Sequence, residues 1–198
     1  MKAIRERGAK AGRDQLLVSA FDGARLDRIN WPDRQWEWLG LVPGSAEFEM
    51  PAGIDLAQAI VTSPAMFRRS PGAGSLYWMS VRDSSGTFLD GGKDYKLTIP
   101  QPVPDRLFWS VTVYDTATRS QVQTDQDRAA LRSLFELKDI SGTAPVDLYF
   151  GPDAPSGQES HWIKTAPGRG WFAYIRIYGP EQAAFDKSWK PGDFVEIK

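Results

Sequence analysis

No cysteine occurs in the 198 residues, which removes disulfides, thiolate zinc sites, iron–sulfur clusters and a cysteine nucleophile together. Histidine is almost as scarce: His161 stands alone, so one chain cannot assemble a multi-histidine metal centre. No apolar run approaches the roughly 18 residues that cross a bilayer, and the N-terminal MKAIRERGAKAGRDQ lacks the apolar stretch of a signal peptide. The chain as given therefore reads as unexported, cytoplasmic on this ground alone. An excess of one charge is missing too. Lys and Arg number 24 against 25 Asp and Glu, a formal net charge of -1, which is not the basic surface that binding to a phosphate backbone requires. Nucleic acid is not an expected partner, and no residue pattern calls for a cofactor.

What is present suits a packed, strand-rich domain. Hydrophobic residues at 41% are too many for a disordered chain, and the length fits one large domain or one domain with an appendage. Eight Trp are interspersed with 18 Gly and 14 Pro, spread along the chain without repeats or low-complexity tracts, as in short strands joined by tight turns. Two unequal parts follow: residues 1–73, a leader with a helical and irregular packing segment, and residues 74–198, a β-sandwich. The first thirty residues carry seven basic and four acidic side chains, the mark of a solvated leader. Trp31, Trp36 and Trp38, followed by Pro43 and Gly44, read as an irregular segment that buries against the main domain. Leu56, Ala59 and Ile60 fall on a helical stripe and Ser63-Pro64 resembles a helix start, so two short helices are expected over 55–69.

Beyond Gly74 the hydrophobic period becomes two. LYWMSVR and TFLD flank the turn residues Asp83-Ser84-Ser85-Gly86 and read as a hairpin. Tyr95, Leu97 and Ile99 share one strand face; Leu107, Trp109, Val111 and Val113 share another, with Phe108, Ser110, Thr112 and Tyr114 opposite. VDLYF and WFAYIRIYG supply further strands, the latter setting Trp171, Ala173, Ile175 and Ile177 against Phe172, Tyr174, Arg176 and Tyr178. DQDRAALRSLFELK places Ala130, Leu131, Leu134 and Phe135 on one stripe and predicts a later helix. The expected fold is mainly β: six to eight antiparallel strands in a sandwich of jelly-roll type, with short helices in the N-terminal third and one or two later.

Three stretches, RDSSGTFLDGGKDYKLTIP, FWSVTVYDTATRSQVQTDQ and the run from LYFGPDAPSGQESHWIKTAPGRGWFAYIRIYG to the C-terminus, resemble the bacterial family catalogued as domain of unknown function 1214. WPDRQWEWLG and TSPAMFRR are similar to the segment that precedes this domain in longer members, whose usual companion, domain of unknown function 1254, is not expected in this chain. The resemblance implies a jelly-roll sandwich, in proteins often periplasmic or secreted, and implies no reaction and no catalytic residues. Where longer members commonly show Asn after the Glu-x pair, this chain has Glu159-Ser160-His161-Trp162.

Chemistry is thinly signalled. An unperturbed histidine pKa near 6.5 suits proton transfer, and alternation puts Glu159 on the same face as His161 if that segment is extended. Ser110, Ser120 and Ser160 are conceivable nucleophiles, but no GxSxG elbow exists to present one. Acid pairs such as Asp83 with Asp90, Asp115 with Asp125 and Asp153 with Glu159 are unavoidable among 25 acids. SPGAGS and APGRGW lack the phosphate-loop arrangement and read as turns, as does the calcium-like fragment at Asp83. Aromatic rings are more informative. Most of Trp78, Trp109, Tyr114, Trp162, Trp171, Tyr178 and Trp189 should fill the core, while Tyr114 and Tyr178, opposite the apolar stripes, are better placed for a ligand beside Arg119, Gln123 and Arg176. The loop YDTATRSQVQTDQ is polar and should rim a pocket at one end of the sandwich. The leading expectation is a binding module for a small molecule or carbohydrate using Tyr114, Arg119, Asp125, Glu159, His161, Trp162 and Tyr178. The alternatives are a metal-independent hydrolase or lyase using His161 with a carboxylate, and a structural module that pairs through edge strands as a homo-oligomer.

Overall fold

A computed structural model describes residues 29–38, 71–140 and 142–197. The expected helices over 55–69 and the leader up to residue 28 lie outside the described residues. Among the described residues nine strands follow in chain order: β1 Glu37–Trp38, β2 Ser75–Ser80, β3 Asp94–Ile99, β4 Asp105–Asp115, β5 Ala130–Arg132, β6 Val146–Gly151, β7 Trp162–Lys164, β8 Trp171–Pro180 and β9 Phe194–Ile197. They build a five-stranded sheet ordered β1-β2-β8-β4-β5 and a four-stranded sheet ordered β7-β6-β3-β9. All neighbours are antiparallel except β6 and β7. Among the described residues the only helical elements are two 3-10 turns, Glu159–His161 and Gln182–Ala184.

The period-two pattern sets the layers. Trp109, Val111 and Val113 of β4 and Trp171, Ala173, Ile175 and Ile177 of β8 meet Tyr95, Leu97 and Ile99 of β3 and Val146, Leu148 and Phe150 of β6 in one buried core. Trp171 locks the layers together. Its ring stacks on Phe150 at 5.5 Å and meets Phe194 and Tyr95 edge-on at 5.1 and 5.7 Å. Trp78 stacks on Trp189, and Trp31 lies 5.0 Å from Trp78. Residues 31–38 are thus packed into the sandwich. Trp36 Nε1 donates to Gly192 O at 2.7 Å, Gln35 N to Asp193 Oδ1 at 2.9 Å, and β1 pairs with β2.

Several expectations are corrected. Leu107 is 65% exposed and not on the core face, because the β4–β8 register shifts between Asp105 and Phe108 and inverts the alternation there. The DSSG turn forms, with Gly86 at φ 85 and Asp83 N donating to Thr87 O at 2.8 Å. Its two arms share only the Arg82–Phe88 bridge, since β2 pairs with β8 instead. The helix expected over 125–138 does not form. Ala130–Arg132 is a strand on the edge of β4, Asp127 has φ 52, and Leu134 and Phe135 are exposed while Leu131 and Leu137 are buried. Trp109 and Ser133 exchange hydrogen bonds that extend the ladder, and Glu136 folds back to accept from Arg132 N at 2.9 Å. A tight turn consumes the donors that a helix would have used.

The outer face of the five-stranded sheet is not simply solvated. Met79, Val81, Tyr114, Phe172 and Tyr174 form a second buried cluster there, and Ser110 and Thr112 are buried alongside. Tyr114 is therefore 5% exposed rather than open to a ligand, and its hydroxyl accepts from Arg176 Nη2. Tyr178 is half-buried, stacked on Phe108 at 4.1 Å.

Candidate functional site

At one end of the sandwich the chain leaves β4 through Asp115, reverses and returns toward β5. Asp115 organises that reversal. Its Oδ1 accepts from Ala117 N at 2.9 Å, Thr118 N at 2.8 Å and Thr118 Oγ1 at 3.1 Å, while Arg119, at φ 59, donates its N–H to Asp115 O at 2.8 Å. The Asp115 side chain is buried, and burial alone would raise its pKa. The Arg169 guanidinium at 2.8 Å and the Thr118 donors outweigh burial and hold the carboxyl below the usual aspartate value.

Arg169 comes from the turn before β8, the APGRGW stretch. Gly168 has φ 77, and Thr116 holds the neighbouring backbone by donating both N–H and Oγ1 to Gly170 O at 3.1 and 3.0 Å. The turn is seated on Gly91: a Cβ there would lie 2.2 Å from Ala166 O, and Thr165 Oγ1 donates to Gly91 O at 2.8 Å.

Between these two turns lies a cleft of about 300 Å³. Thr118, Ser120, Gln121, Gln123, Thr124 and Arg169 give it polar walls, with Val122, Ala166 and Trp171 as its apolar part. Thr118 Oγ1 and Ser120 Oγ are 2.8 Å apart and the Arg169 side chain is 60% exposed. Asp115 and Arg169 cancel in charge, so the cleft offers hydroxyl and amide groups rather than a field. The 118–124 loop does line a pocket, as its composition suggested.

The other sequence candidates lie elsewhere. Asp125 is exposed and paired with Lys164 at 2.7 Å. Gln126 and Arg128 fasten the same loop onto the 159–164 segment: Arg128 Nη2 donates to Glu159 O and Trp162 O, both at 2.6 Å, and Gln126 Oε1 accepts from Lys164 N at 2.7 Å. Trp162 Nε1 donates to Gly151 O at 3.0 Å. Glu159 and His161 lie in a 3-10 turn, not on a strand, so alternation does not bring them together. Glu159 Oε1 accepts from Gly157 N, while His161 Nε2 pairs with Asp139 at 3.2 Å. That hydrogen bond holds Asp139 below the usual aspartate value. Ser110 is buried, and Ser160 offers its carbonyl to Arg128 at 3.4 Å. Among the described residues no group of three or more His, Cys, Asp or Glu is placed to hold a metal, and no helix is long and apolar enough to cross a membrane.

Fold and cleft together define a β-sandwich domain with a polar recess at one end. Residues 74–182 match the model of the family described as "Protein of unknown function (DUF1214)", and the chain belongs to that family. Among solved structures it is similar to the VPA0106 protein from Vibrio parahaemolyticus, with 21% identity and a TM-score of 0.53 over 63% of this chain and 31% of that one. A second, an uncharacterized protein from Burkholderia cenocepacia, shows 17% identity and a TM-score of 0.44 over 63% of this chain and 30% of the other. The chain thus spans less than a third of the length of either. The Vibrio likeness bears on the fold alone. No curated protein matches the chain.

Proposed function

We propose that this domain is a binding module that takes a small polar molecule, of carbohydrate type, in the cleft between the 118–124 loop and the 165–170 turn. The observation that carries the reading is the make-up of the walls. Two hydroxyls, two amides and a threonine whose buried Oγ1 has no hydrogen-bond partner face a recess of monosaccharide to disaccharide size. Asp115, the buried acid of the cleft, is held ionised and fully engaged, which suits a structural role better than proton transfer. Arg119 belongs to the loop that forms one wall; Asp125, Glu159 and Trp162 brace the flank behind it. The strand order, with β8 between β2 and β4 and the chain passing repeatedly between sheets, supports a jelly-roll description of the scaffold.

A panel of neutral monosaccharides and disaccharides in a thermal-shift assay is expected to stabilise the protein with at least one member. Gln123→Ala and Ser120→Ala should each weaken that ligand by about two- to tenfold, the worth of one neutral hydrogen bond. Silence across the panel, or binding indifferent to both substitutions, refutes the reading. A second reading, proton-transfer chemistry, draws on the His161–Asp139 pair at 3.2 Å. It requires a turnover that His161→Ala abolishes and His161→Gln does not restore.

A further inference from the structure

On the opposite side of β8 from the core sits a guanidinium without a counter-charge among the described residues. Arg176 is half-buried on the outer face of the five-stranded sheet, cross-strand from Tyr77 of β2 and Ser110 of β4. Its Nη2 donates to the Tyr114 hydroxyl, and its guanidinium carbon lies 5.4, 5.7 and 5.8 Å from the ring centres of Tyr77, Tyr114 and Tyr174. Those ring faces attract a cation, but they carry no formal negative charge. No carboxylate among the described residues pairs with Arg176, and its buried Nε–H has no hydrogen-bond partner. A guanidinium withdrawn from water normally faces a carboxylate or a phosphate.

Among the described residues the surroundings are rich in donors and poor in acceptors. Tyr114 accepts from Arg176 and so keeps its own O–H to give. Tyr77 accepts from Ser75 Oγ at 2.9 Å and likewise keeps its O–H. Tyr178, half-buried on Phe108, adds a third phenol beside the guanidinium. Burial works against the charge on Arg176, but the three phenols Tyr114, Tyr178 and Tyr77 outweigh it, so the side chain stays a cation. Tyr77, Arg176 and Tyr178 all retain partial exposure, so this end of the face is within reach of solvent.

We propose that Arg176, with Tyr77, Tyr114 and Tyr178, forms an oxyanion-binding site on the outer sheet face, separate from the cleft, that receives a carboxylate or phosphate group. An oxyanion supplies the missing negative charge and accepts from the free Nε–H and the phenol hydroxyls at once. Neither the tyrosines alone nor water meets both needs.

The test follows the Arg176 Nε–H resonance of the full chain by NMR, identified through its loss in Arg176→Lys, during titration with phosphate, acetate or chloride at constant ionic strength. Phosphate or acetate should shift the peak saturably while chloride does not, and the anion with the larger response identifies the group. Arg176→Met should weaken the bound anion at least about tenfold, equivalent to about 1.4 kcal/mol. Tyr77→Phe, a milder change at a half-exposed position, should weaken it by about threefold and keeps the test valid if Arg176→Met does not fold. The proposal is overturned if the resonance stays still under both oxyanions, if chloride acts equally, or if both variants bind the anion as the parent chain does.

Discussion

Asp105 offers the sharpest test of the packing at the other end of β4. It lies next to the register shift that turns Leu107 outward, facing Pro180 across the ladder, with Glu181 N donating to Pro104 O at 2.8 Å. Burial, then the nearby Glu181 charge, raises its pKa from the ordinary 3.8 to about 6. The folded chain therefore keeps a proton that the unfolded chain has already released. Stability from this site is fully present below the unfolded value and is lost as pH rises through about 6. One pH unit between the two values is worth about 1.4 kcal/mol, so the ceiling is roughly 3 kcal/mol, and partial solvent exposure reduces this to roughly 1–2 kcal/mol. Asp105→Asn, which cannot ionise, should match the parent within about 0.5 kcal/mol at pH 4 and exceed it by roughly 1–2 kcal/mol at pH 7.5, or about 3–6 °C in Tm. Glu181→Gln should recover only part of the gain. Urea unfolding of the three proteins from pH 4 to pH 8 measures this directly. A difference that does not change with pH, or a loss of stability in Asp105→Asn at pH 7.5, refutes the reasoning.

Three further outcomes follow from the packing. Gly91→Ala sets a methyl 2.2 Å from Ala166 O, so unfolding experiments should show a loss of about 2–4 kcal/mol, with weaker binding in the cleft whose turn it displaces. Trp171→Ala removes the ring that joins both sheets and should cost about 3–5 kcal/mol; Trp171→Phe, which discards an indole N–H without a partner, should cost less than half as much by the same measurement. Leu134→Asp and Phe135→Asp should each lie within about 0.5 kcal/mol of the parent, since both side chains are exposed, whereas a buried amphipathic helix would make either change severe.

How far the sequence could be read depended on whether an element's pattern was local. β3, β6, β8 and β4 beyond its register shift carry an alternating pattern, and Trp109, Val111, Val113, Ile175 and Ile177 all fall on the core face that alternation assigned. Leu131, Leu134, Phe135 and the Arg132–Glu136 spacing satisfy a helical template, but β4 presents an unpaired edge to Ala130–Arg132, and pairing with Ser110–Thr112 outweighs an intrinsic preference of a few tenths of a kcal/mol per residue. Leu107 failed because a bulge leaves no signature in hydrophobic period. β9 is four residues with a single buried side chain at its start, too short to register as alternation.

The cleft was legible as a loop and illegible as a site. Its polar wall could be read from TATRSQVQT, because hydroxyl and amide residues after a strong strand mark a solvated rim. Its central contact could not, since Asp115 and Arg169 lie 54 positions apart and meet only because β4 and β8 are neighbours in register, with Asp115 opposite Trp171. The same reasoning explains His161. Sequence proximity nominated Glu159, yet the chain turns there, and the partner is Asp139, 22 positions away. Arg176 shows the converse. Alternation placed it correctly on the face away from the core, but only the sheet order, which puts Tyr77 and Ser110 on either side of it, shows a cation ringed by phenols with no acid beside it among the described residues. Such a charge is tolerated only where its own surroundings or a bound group meet the cost of burying it; the phenols keep Arg176 a cation, and the proposed oxyanion would take up the Nε–H they leave without a partner.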